Sequence, residues 1–173
     1  NAFGTGAVTL GDSAGGSNAA TLRVGTNGLT YSNAIVLASN TTGTLTLGNS
    51  GTAISTTFSG GVTGTNNRTL NNDATTGTLT LSTGAVNNTG TITHVGAGTG
   101  AATISAAVGA NVTGITQNSA TSALTVSGGV TTTGSKTFTN AGGGALLTVS
   151  GAVTGTGTVV LNNNSTLANG VTI

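Results

Sequence analysis

One spacing constrains this chain more than any other property: a short Gly/Ser/Thr-rich frame ending in an aliphatic residue returns every 22 to 27 residues. The segments SGGVTGTNNRTL (59–70), SGGVTTTGSKTF (127–138) and SGAVTGTGTVVL (150–161) align without gaps, and TGAVNNTGTITH (83–94) and SAAVGANVTGIT (105–116) fit the same frame. Extended upstream, the frame marks Val8, Ile35, Val62, Val86, Val108, Val130 and Val153, at intervals of 27, 27, 24, 22, 22 and 23. A second series keeps the same period: Ala102-Thr103-Ile104, Leu124-Thr125-Val126, Leu147-Thr148-Val149 and Val171-Thr172-Ile173. Self-similarity at 20 to 50 residues is the signature of stacked repeat architectures.

Within a period the pattern is strand-like, because TLTL (44–47 and 78–81), TLRV (21–24) and GAVTL (6–10) alternate apolar with polar residues. Helical spacing is nowhere sustained, and 31 Gly with many β-branched Thr oppose helix. Three short strands and three turns, rising ~3.3 Å per strand residue, use up about one period. The next circuit can then lie ~4.8 Å above the last and pair with it in parallel. A single circuit has no partner for its backbone groups, so stacking must supply both hydrogen bonds and a dry interior. The expected fold is therefore all-β: a single-stranded parallel β-helix, or β-solenoid, of about seven coils over residues 1–173, right-handed by the general preference of parallel connections.

The expected core comprises Val62, Leu70, Leu79, Leu81, Val86, Ile92, Ile104, Val108, Leu124, Val126, Val130, Phe138, Leu147, Val149, Val153, Val159 and Leu161. Ten residues past the marker stand Asn72, Asn118, Asn140 and Asn163, with Gly96 in the coil of Val86. Asn tolerates sharp corners and can bond to a stacked Asn, so an Asn ladder broken at Gly96 is expected at one corner.

Only 3% of residues are charged, against about 25% in an ordinary soluble domain. Three scattered cations, Arg23, Arg68 and Lys136, cannot build the phosphate-tracking stripe that nucleic-acid binding requires. Apolar runs such as AIVLA (34–38) fall far short of the roughly 20 residues of a membrane-spanning helix, so membrane insertion of this segment is not expected. Cys is absent, which removes thiolate metal sites and disulfides.

The solenoid enzymes that act on polysaccharides need clustered carboxylates. Here Asp12 and Asp73 stand about two and a half coils apart, roughly 12 Å along the axis. His94, the sole imidazole, is expected at a solvent-facing or strand-edge position, and Tyr31 as a packed or surface aromatic. The GxG strings lack the following helix of a phosphate loop, and two Asp cannot furnish a calcium ligand in every coil. No catalytic residues, cofactor or metal are therefore expected. Sequons at Asn40, Asn67, Asn87, Asn111, Asn163 and Asn164 occur at the frequency expected of so Asn/Thr-rich a chain.

The segments GTGAVTLGD (4–12) and GTGTVVLNNNSTLANGVTI (155–173) resemble the autotransporter-associated β-strand repeats in passenger domains of large secreted bacterial proteins. That resemblance implies a right-handed β-helix displayed on or shed from the cell surface. The aromatic that often precedes a Gly pair in those repeats is missing from the final segment, and no translocator barrel is part of this sequence.

The expected function is an extracellular or cell-surface structural element, an adhesin stalk or filament subunit that associates end to end or side by side. Both termini fall inside the repeat pattern, and no charged terminal coil interrupts it, which favours continuation in a longer polypeptide or polymerisation. A second class is an ice- or carbohydrate-binding solenoid using outward Thr, for which Thr44 with Thr46 and Thr78 with Thr80 provide pairs; surface glycans are possible partners on this reading. The unequal coil lengths and the 21–23 and 124–126 segments work against a flat lattice there.

Overall fold

A computed structural model describes residues 3–173. Alternation and Gly-rich turns break the chain into short strands, three per coil. Coil 1 contains β1 (Val8–Leu10), β2 (Ala20–Val24) and β3 (Leu29–Tyr31); coil 2 contains β4 (Ile35–Leu37), β5 (Leu45–Gly51) and β6 (Thr56–Phe58). Coil 3 contains β7 (Val62–Gly64), β8 (Arg68–Ala74) and β9 (Leu79–Leu81). In coils 4 and 5 the first strand shrinks to bridges at Val86 and Val108, followed by β10 (Gly90–Val95) and β11 (Ala102–Ile104), then β12 (Val112–Gln117) and β13 (Leu124–Val126). Coil 6 contains β14 (Val130–Thr132), β15 (Lys136–Asn140) and β16 (Leu147–Val149); coil 7 contains β17 (Val153–Gly155), β18 (Val159–Asn163) and β19 (Val171–Thr172).

Every pairing is parallel and joins one coil to the next. The second face is a seven-stranded sheet, β2-β5-β8-β10-β12-β15-β18, and the third is β3-β6-β9-β11-β13-β16-β19. The first face runs through β1-β4-β7, the two bridges and β14-β17. Among the described residues there is no helix. The chain is a β-solenoid of about seven turns, as the period requires.

The marker residues form one column: Val8↔Ile35↔Val62↔Val86↔Val108↔Val130↔Val153. The second series aligns likewise, as Leu79↔Ala102↔Leu124↔Leu147↔Val171. Differences in coil length are absorbed in turns and at Thr113, an extra residue within β12, so each of these two columns stays in register.

Of the expected core, the residues from Val62 to Val149 are buried in one continuous cluster that also takes in Ile35, Leu37, Leu45, Leu47, Phe58, Val112 and Ile115. Val153, Val159 and Leu161 are not sealed; the last two are 37% and 51% exposed. They point inward in coil 7, where no further described coil lies above them. Tyr31 stacks on Phe58 at 5.7 Å between ring centroids, and the Phe3 ring lies tilted to Tyr31, also at 5.7 Å.

Gly64 and Gly155 end first-face strands at positive φ, 95° and 108°. A Cβ there would stand 2.2 Å from the Leu37 carbonyl oxygen and 2.0 Å from that of Thr132, one coil below. Only Gly permits that backbone approach.

Candidate functional surface

The inward face of the second sheet carries the polar corner, and it differs from the expected ladder. Asn49 stacks on Asn72 and Asn140 on Asn163, but between them the column changes hands. Gln117, not Asn118, pairs with Asn140, and His94, not Gly96, pairs with Gln117; on its other side His94 is level with Leu70. The cause is two one-residue slips: coil 5 carries Thr113 as an extra residue between the partners of Gly90 and Thr91, and coil 6 gains another between Val130 and β15, so equal offsets from the marker no longer share a level.

Nor do the amides bond to one another; they cap backbone carbonyls. Asn49 Nδ2 donates to Ile54 O (2.8 Å) and Thr78 O (3.1 Å), and Asn72 Nδ2 to Gly77 O, Gly100 O and Ala101 O. Gln117 Nε2 donates to Ser119 O and Ser122 O, and Asn140 Nδ2 to Ala145 O and Gly170 O. Each amide thus ties its own turn shut, and three of them also reach the coil above. At another corner Asn66 Nδ2 donates to Ala38 O and Thr41 O, and Asn88 Nδ2 to Asn66 O. Two sequon residues join coils through their oxygens, Asn67 accepting from Thr91 N–H and Asn87 from Asn111 N–H.

His94 is buried, contrary to the expected exposed or edge position. Alternation with Ile92 turns it inward, where its Nδ1 meets Gln117 Oε1 at 2.5 Å and its Nε2 meets Ser122 Oγ at 3.3 Å. Gln117 spends both Nε2 hydrogens on carbonyls, so Oε1 must accept and Nδ1 must carry the proton. Burial depresses the imidazole pKa, and the Gln117 bond opposes that only in part. The Ser–His–Gln contact is sealed from solvent and braces a turn.

Arg68 and Lys136 are also buried, although as charged residues they would ordinarily stay wet. The sequence reading leaves them only as scattered cations without a placement, yet alternation puts Arg68 two residues before Leu70 and Lys136 two before Phe138, hence inward. Lys136 Nζ donates to Gly109 O (3.0 Å) and Val112 O in the coil below. None of the three guanidinium nitrogens of Arg68 has a hydrogen-bond partner. Desolvation pushes the Arg68 pKa down to about 9 and that of Lys136 to about 8. Arg23 faces outward and bridges two coils to Asp73 (Nη2–Oδ2 3.1 Å), while Asp12 caps its own turn through Ala14 N–H.

The outward faces are hydroxyl columns. Thr30, Thr57, Thr80, Thr103, Thr125, Thr148 and Thr172 stand in consecutive register on the third sheet, one per coil without a break. On the second sheet the column reads Thr21, Thr46, Thr69, Thr93, Thr116, Thr139 and then Asn162. Thr46 and Thr80, expected as members of Thr pairs, therefore belong to two different faces. The unequal coil lengths do not disturb either column, because the extra residues lie in the turns or, as at Thr113, before the column is reached along the strand.

Comparison with protein-family models, with curated proteins and with solved structures finds no match to this chain.

Proposed function

We propose that this chain is a non-catalytic structural or adhesive segment, a stalk or filament subunit of an extracellular bacterial-surface protein of the autotransporter passenger kind. The observation that carries this reading is the unbroken axial ladder. Backbone pairs, inward aliphatic columns and carbonyl-capping amides all run along the solenoid axis from coil to coil, which suits a rigid rod. The ionisable groups add to it: His94, Arg68 and Lys136 are sealed, and Asp73 is engaged with Arg23.

On this reading the partner is a second copy stacked end to end. Coil 7 presents Val159, Leu161 and Ile173 at 37%, 51% and 55% exposure beside unpaired strand edges, and coil 1 presents Leu29 at 38%. A second copy stacked there would continue every column. Light scattering across a concentration series is expected to show growth of the purified chain into rods, suppressed by Leu161→Lys. Monodisperse monomers at high concentration would overturn end-to-end association, and turnover of a polysaccharide substrate would overturn the non-catalytic reading.

A second reading, recognition of an extended repetitive surface by outward Thr, is favoured by the unbroken Thr column of the third face. Thermal hysteresis and glycan-array binding test it.

A further inference from the structure

We propose that the third face is a binding surface for an uncharged, two-dimensionally ordered water lattice, the surface of an ice crystal; this rests on the second reading above. Beside the seven Thr runs a second column two residues on: Ser32, Ser59, Ser82, Ser105, Ser127 and Ser150. Their register is held by the backbone, since the N–H groups of Ser59, Ser82, Ser105, Ser127 and Ser150 donate to the carbonyls of Tyr31, Phe58, Leu81, Ile104 and Val126 one coil below. The result is a Thr-x-Ser motif in six successive coils. Its hydroxyls repeat about every 4.8 Å along the axis and about 6.6 Å along the strand, over a length of roughly 29 Å.

Three properties select the occupant. The first is charge: Arg23, Arg68, Lys136, Asp73 and His94 all lie in second-sheet strands and Asp12 in the turn between β1 and β2, so the third face presents no charged side chain. A neutral lattice loses nothing by facing it, whereas an anionic polymer or a phosphate surface gains nothing.

The second is the absence of outward aromatics. Tyr31 and Phe58 are the aromatic residues in third-sheet strands and stack together on the inner side, so the face has no flat ring to cover the apolar side of a sugar. The third is preorganisation. Among the described residues no hydroxyl of the Thr column has a hydrogen-bond partner in the protein, and β-branching restricts each χ1. In the Ser column the hydroxyls of Ser59 and Ser105 donate to the carbonyls of Tyr31 and Leu81, and that of Ser82 accepts from Thr83, which fixes their positions. Rigid, regularly spaced hydroxyls and methyls can therefore meet an ordered lattice with little entropy left to lose.

The second face is a poorer lattice. Its flanking outward positions carry Arg23, Asn71 and Asp73 on one side and change from Thr137 to Val160 on the other.

Nanolitre osmometry on the purified chain, with Thr103→Tyr on the third face and Thr93→Tyr on the second, tests this directly, circular dichroism checking that each variant folds. Thermal hysteresis is expected for the parent chain, retained in Thr93→Tyr and largely lost in Thr103→Tyr. Hysteresis lost in Thr93→Tyr but kept in Thr103→Tyr would overturn the face assignment and leave the second reading standing. A folded parent with no hysteresis would overturn the proposal; glycan binding abolished by Thr103→Tyr would then preserve the second reading with a different ligand, and absence of both would remove it.

Discussion

Coils 6 and 7 carry nearly the same inward series and differ in one respect, the number of neighbours. Val130, Lys136, Phe138 and Asn140 are at most 1% exposed, whereas their register partners Val153, Val159, Leu161 and Asn163 range from half-buried to exposed, Leu161 reaching 51%. Alternation decides which way a side chain points; stacking on both sides decides whether it is dry. In a solenoid, burial belongs to the position in the stack as much as to the residue.

The sharpest way to break this contrast is to truncate matching apolar side chains. Phe138→Ala is expected to cost about 3–5 kcal/mol, while Leu161→Ala, already half in water, should cost less than about 1 kcal/mol. Denaturant unfolding of the two variants measures it, and equal losses would mean that coil 7 is covered.

The interior also contains its own contrast in the two buried cations. Arg68→Leu removes an unpaired guanidinium from between Leu45 and Ile92 and is expected to stabilise the fold by about 1–4 kcal/mol. Lys136→Leu should gain less, because it also discards two bonds to carbonyls. Both differences are read from thermal melting.

The corner amides offer a smaller effect. Asn140→Ala strips the bonds to the Ala145 and Gly170 carbonyls and should lower stability by about 1–3 kcal/mol. The exposed Asn163→Ala should stay within about 0.5 kcal/mol of the parent.

The smallest effect sets the inside against the outside by pH. Burial lowers the His94 pKa, so the unfolded chain binds the proton first as the pH falls, and stability should decline from about pH 6.5 downward. Melting temperatures of the parent and His94→Gln across that range check it; the variant should be flatter. An unchanged slope would place the proton uptake elsewhere.

Much of this was legible in the sequence. The marker column and its second series needed only the period, since a parallel stack must place equivalent residues at one level. The outward Thr column of the third face was missed, because Thr44 with Thr46 and Thr78 with Thr80 were read as pairs along a strand and 124–126 was counted against a lattice, whereas the register stacks Thr80, Thr103 and Thr125 across coils. The amide corner was legible by type and misplaced by register, because counting ten residues from the marker assumes that no coil slips, and coils 5 and 6 each slip by one residue. His94 was misassigned although it keeps the offset of the inward Leu70, because a lone imidazole is ordinarily expected in water. Arg68 and Lys136 were obscured by their charge, although period two already put them on the side of Leu70 and Phe138.

Stacking itself is most directly tested with methyl-labelled valine by solution NMR. Side chains at ~4.8 Å spacing give strong methyl–methyl contacts between coil neighbours and none between second neighbours about twice as far apart. Val108 is expected to contact Val86 and Val130 and to be silent towards Val62 and Val153. Contacts from Val108 to Val62 or Val153, or none to Val86 and Val130, would contradict a single column of superposed coils.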